Sequence, residues 1–99
     1  MSANSESTYV PAEVVRVVVL EKHLHARPAG QLAQAAARHQ PNTIELIAGD
    51  RRVNARSVLA VMGLGAVRGS EVRVIVAGAD AVAVADEVVE ILQSPETDT

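Results

Sequence analysis

A chain of 99 residues with no cysteine makes one small domain and excludes disulfides, thiolate metal sites and thiol catalysis. Apolar residues are 48 % of it; 17 are Val, 17 Ala and one Tyr, with no Phe or Trp, which leaves no stacking platform for nucleic-acid bases. The formal charge of −3 is uneven: residues 1–15 and 86–99 carry seven acids and no base, while 16–85 carry nine bases and five acids, so the body suits an anionic ligand or partner.

Residues 1–12 are polar, which predicts a flexible leader, and they lack the basic start of a signal peptide. Val14–Leu20 is short and β-branched, which predicts a strand. It is interrupted by Arg16 and is far below the roughly 20 residues that span a membrane. A cytoplasmic chain without membrane insertion is expected. Ala26 to His39, rich in Ala, Gln, Leu and Arg, predicts a helix, starting near His25 because Pro28 is tolerated only in a first turn. Leu32, Ala35, Ala36 and His39 fall at i, i+3, i+4, i+7 and give it one narrow buried face. His39, at the C-terminal end, reads as structural.

Pro41-Asn42 closes that helix. Thr43–Ala48 and Arg51–Asn54 read as a hairpin turning at Gly49-Asp50. Val58–Met62 is a short helix capped by Ser57 and stopped by Gly63 and Gly65. Glu71–Ala77 alternates as a fourth strand. Asp80 is placed to cap a last helix reaching about Leu92, with Ala81, Val84, Ala85, Val88, Ile91 and Leu92 as its buried stripe. An acidic tail, 94–99, follows. The order β-α-β-β-α-β-α over 13–93 predicts an α+β two-layer domain, an antiparallel sheet with helices on one face.

One segment stands apart: His23-Leu24-His25-Ala26-Arg27-Pro28-Ala29. It sets a histidine at the start of a helix whose first turn carries an arginine. The free N–H groups of that turn and the positive end of the helix dipole attract an anion, and Arg27 adds charged donors for phosphoryl oxygens. A phosphate site built around a nucleophilic His25 is one reading; a loop histidine beside a solvated arginine is the other. His23 and His25, two apart, could also face one way as metal ligands, but no third ligand is evident. No metal and no cofactor is expected.

His25-Ala26-Arg27-Pro28-Ala29, with aliphatic Leu24 before it, resembles the phosphorylation-site motif of the HPr family, the histidine-containing phosphocarriers of the phosphoenolpyruvate-dependent sugar phosphotransferase system. The stretch Arg56-Ser57-Val58-Leu59-Ala60-Val61-Met62-Gly63-Leu64-Gly65 resembles the family's second signature. The resemblance covers about residues 13–93. It implies an open-faced sandwich: a four-stranded antiparallel sheet in order 1-4-2-3 with three helices on one face. It also implies that His25 is phosphorylated on Nδ1 by enzyme I and that Arg27 stabilises the phosphoryl group. Val58, Leu59 and Met62 would belong to the apolar patch that faces enzyme I and the IIA proteins. Ser57 matches the serine that a regulatory kinase modifies in some bacteria, where a phosphate would add about −1.5 to −2 charges beside that patch. The chain departs from the family's pattern at His23, where Gly is usual and permits backbone angles that a β-carbon strains.

The expected function is a phosphoryl relay, monomeric and without turnover of its own. The alternatives are a regulatory protein of the same fold whose docking is switched by phosphorylation, and a carrier for a nitrogen-related or dihydroxyacetone branch. Lys22 and Arg27 flank His25, Arg56 adjoins Ser57, and Arg51 and Arg52 precede it. On one face, these bases would form a docking surface for acidic partners.

Overall fold

The valine-rich run forms β1 (Glu13–Val19), which pairs antiparallel with β4 (Glu71–Ala77) from Glu13 opposite Ala77 to Val19 opposite Glu71. On the other side of β4 lies β2 (Thr43–Ala48), which turns into β3 (Arg51–Asn54). The sheet order is β1-β4-β2-β3, antiparallel throughout. This computed structural model describes residues 13–94. The expected leader, 1–12, and the tail beyond Ser94 lie outside the described residues.

Side chains alternate across a strand, and here the alternation separates two unlike faces. Val18, Ile44, Leu46, Val72, Val74 and Val76 are buried on one of them. Over these pack α1 (Ala26–Arg38), α2 (Val58–Met62) and α3 (Ala81–Gln93), which contribute Leu32, Ala36, Val61, Val84, Val88 and Leu92 to the same core. Each such Val or Leu stabilises the fold by roughly 1.5–3 kcal/mol through burial. The other face carries Val15, Val17 and Val19, about half exposed, with Arg73 and Ile75 beside them in register.

The last helix starts differently from the sequence expectation. Asp80 is its N-cap, but in a left-handed conformation (φ 56°, ψ 32°) and with no side-chain cap bond. Capping by a side chain needs an extended backbone at that position; the turn through Gly78 (φ 123°) instead delivers Asp80 as a left-handed residue, which Asp tolerates better than most. Ile91, expected in the buried stripe, is only partly buried, and Leu92 holds the core position. Ser94, expected to open the tail, is the C-cap, its Oγ donating to the Glu90 carbonyl at 2.7 Å.

The far end of α1 is tied to α3. Arg38 and His39 both reach the Glu87 carboxylate, at 2.5 and 2.7 Å. His39 is the C-cap, its N–H donating to the Ala35 carbonyl at 3.1 Å while the next N–H, of Gln40, reaches the Ala37 carbonyl at 3.5 Å, so its place is structural.

Candidate functional site

His25 precedes the first helical residue of α1 in extended backbone (φ −82°, ψ −170°), and its imidazole makes no capping bond. Its own N–H donates to the His23 carbonyl at 3.0 Å. The first intrahelical bond runs from the Ala29 N–H to the His25 carbonyl at 3.1 Å. The amides of Ala26 and Arg27 therefore come before the helical ladder begins, and Pro28 has none to leave unpaired. The first turn holds no acid, and His25, Ala26 and Arg27 are all exposed. Two amides ahead of the helical ladder, the positive end of the helix dipole and an exposed arginine thus lie within two residues of one exposed histidine. That arrangement suits an anion bonded to, or beside, the imidazole.

Two loops frame this end. The β1–β4 register sets the residues after Val19 beside those before Glu71, and the pairing carries on past the strands. Leu20 N–H donates to the Ser70 carbonyl, Gly69 N–H to the Leu20 carbonyl, and Leu24 N–H to the Ala66 carbonyl, at 2.9, 2.9 and 3.2 Å. His23 joins through its ring: Nδ1 accepts the Arg68 N–H at 3.1 Å. The His23 and His25 rings lie 5.3 Å apart between centroids, tilted by 50°. Among the described residues no group of three or more His, Asp or Glu is placed to hold a metal ion. His23 takes an ordinary negative φ, since Asp80 is the one non-glycine with positive φ among the described residues. The usual Gly at this position is therefore not replaced at the cost of backbone strain.

Neighbouring α2 packs against α1. Ser57 caps it, Oγ accepting the Ala60 N–H at 3.1 Å from extended backbone. The three patch residues do not behave alike. Leu59 is 80 % exposed and Met62 41 %, whereas Val58 packs in part against the core. Val67, in the loop that His23 touches, is also about half exposed.

The bases do not gather on one face. Lys22 is buried, with 7 % exposure. Arg52 is paired with Glu45 at 2.6 Å, in the same register row as Ile47 on the uncovered face, and this bond and charge raise the Arg52 pKa. Arg51 donates to the Gly63 carbonyl at 2.7 Å, at the end of α2. Arg68, whose amide meets His23, was not singled out from sequence. The register of β1 with β4 is the signal that would have placed its loop beside His25.

Comparisons with known proteins bear on the family and the fold. The chain matches the family model for the PTS HPr component phosphorylation site over residues 13–94. It is 39 % identical to the phosphocarrier protein HPr of Treponema pallidum (strain Nichols) over 71 residues, covering 72 % of this chain and 80 % of that one. It is 40 % identical to that of Haloferax volcanii over 81 residues, covering 80 % and 90 %. In structure it is similar to the phosphocarrier protein HPr from Bacillus anthracis, with a TM-score of 0.76 at 28 % identity, over 83 % of this chain and 99 % of the other. The solution structure of Crh, the Bacillus subtilis catabolite repression HPr, gives 0.69 at 28 % identity over 86 % and 100 %. With its histidine at the head of α1 and its sheet in this order, the chain belongs to the HPr family of phosphocarrier proteins.

Proposed function

We propose that the protein carries a phosphoryl group on Nδ1 of His25, taking it from enzyme I of the phosphotransferase system and passing it to IIA proteins for sugar uptake in the cytoplasm. The observation that carries this is the freedom of His25: an exposed imidazole outside the cap network, at a helix start with unpaired amides and no acid. In loading, the Nδ1 lone pair forms the N–P bond as the bond between phosphorus and the donor breaks. The negative oxygens of the transferring group meet the Arg27 guanidinium and the Ala26 and Arg27 amides. Unloading reverses these steps toward the acceptor. The protein supplies position and charge and has no turnover of its own.

Leu59 and Met62, with Val58 at their base, form the apolar surface on which these partners dock. Ser57 stands beside it, where a serine kinase would add charge against an acidic partner. The test is incubation with phosphoenolpyruvate and purified enzyme I. One phosphoryl group is expected, acid-labile and alkali-stable, on His25 and absent from His25→Ala. Label that persists in that variant, or none in the wild type, overturns the reading.

A further inference from the structure

We propose that His23 is a second phosphoryl-contacting residue, donating its Nε2–H to the group carried on His25; this rests on the phosphocarrier reading above. A ring nitrogen that accepts an N–H must present its lone pair, so the bond from Arg68 to Nδ1 at 3.1 Å puts the proton of the neutral ring on Nε2. The ring is thereby left with one polar atom, a donor, and it lies 5.3 Å from the ring of His25.

The backbone fixes this placement from both sides. The His23 carbonyl takes the N–H of His25 at 3.0 Å, so the two histidines move together. The loop that supplies Arg68 is itself pinned, with the Ser70 Oγ accepting the Val67 N–H at 3.0 Å and the Gly69 N–H tied to Leu20. A phosphoryl group bonded to His25 projects outward from that ring and has more acceptor sites than Arg27 and two amides fill. A held Nε2–H adds a donor to a charged oxygen, among the stronger hydrogen bonds a protein makes.

Three variants separate this role from that of a loop latch. His23→Asn keeps an acceptor near Nδ1 but has no donor at the ε position; His23→Gln keeps a donor there; His23→Ala has neither. Each is equilibrated with enzyme I and phosphoenolpyruvate, and its loading equilibrium, labelled residue and melting curve are measured. His23→Asn and His23→Ala are expected to load on His25 with an equilibrium about tenfold less favourable, the loss of one charge-assisted hydrogen bond, and His23→Gln to recover part of it. In wild-type protein, the His23 Nε2–H resonance is expected to shift on phosphorylation and to exchange more slowly with water. A His23→Asn variant that loads like wild type reduces His23 to a latch for Arg68 and overturns the proposal, as does label found on His23 itself. Wild-type protein that takes no label overturns the carrier reading instead, so the two failures are distinct.

Discussion

Asn42 occupies the space that a side chain at Gly78 would need. A β-carbon there would collide with Oδ1 and Cγ of Asn42, whose amide donates to the Ala79 carbonyl at 2.5 Å and so joins the loop after α1 to the loop before α3. Gly78 also has a φ of 123°, which L side chains rarely adopt. Gly78→Ala is expected to lower stability by about 2 kcal/mol or more. A lower urea midpoint at unchanged slope would register it. Because the collision is shared, Gly78→Ala in an Asn42→Ala background should cost less than in the wild type.

Glu87 gives a pH-dependent tie between α1 and α3. The hydrogen bond from Arg38, and after it the one from His39, holds its carboxyl below the usual carboxylate range. A depressed pKa contributes stability above the ordinary value of 4.5, and that stability is lost as pH falls through the lowered one. The pair is partly exposed, so Glu87→Gln is expected to lose about 0.2–1 kcal/mol at pH 7. Denaturation of both proteins down a pH series checks it: the difference should close in acid, and one that survives there would indicate packing.

Ser57 caps α2, and on the proposed function a phosphate there would add charge; two substitutions pull these effects apart. Ser57→Ala removes the bond to the Ala60 N–H and should cost about 1 kcal/mol. Ser57→Asp keeps a capping oxygen while adding charge beside Leu59, so it should melt close to wild type yet accept phosphoryl from enzyme I more slowly. Melting curves and loading rates measured on the same preparations decide between them.

Arg27→Glu should reverse the charge at the proposed phosphoryl site and leave the fold alone. The side chain is exposed, and an acid in a first turn suits the helix dipole. Loading from enzyme I is expected to slow at least about tenfold, the scale of one charge-assisted bond, with a cooperative melt retained. Loss of that melt would make Arg27 structural.

What the residue pattern could reveal follows from how local each signal is. The hairpin of β2 and β3, and α2 under its serine cap, have the expected bounds because turn glycines and a cap act within a few residues. Asp80 has the same chemistry as a cap, but the three-residue turn from Gly78 to Asp80 decided its backbone, and composition does not report φ. Arg51 and Arg52 are adjacent in sequence and so fall on opposite faces of a strand, which divides the bases the charge pattern had grouped. His25 and Arg27 could be grouped from sequence because they stand two residues apart at the start of α1. The contact of His23 with Arg68 spans 45 residues and needs the β1–β4 register to be foreseen.

The free imidazole at the head of α1 has a consequence for recognition. Neither His25 nor Arg27 has an ion pair to surrender among the described residues, so attaching a phosphoryl group breaks nothing that holds the fold. On the proposed function, the loaded and empty forms would keep one shape. Donor and acceptor proteins would then meet the same outline and tell the two forms apart by the charge of the phosphoryl group, read at a single pole of an otherwise constant surface.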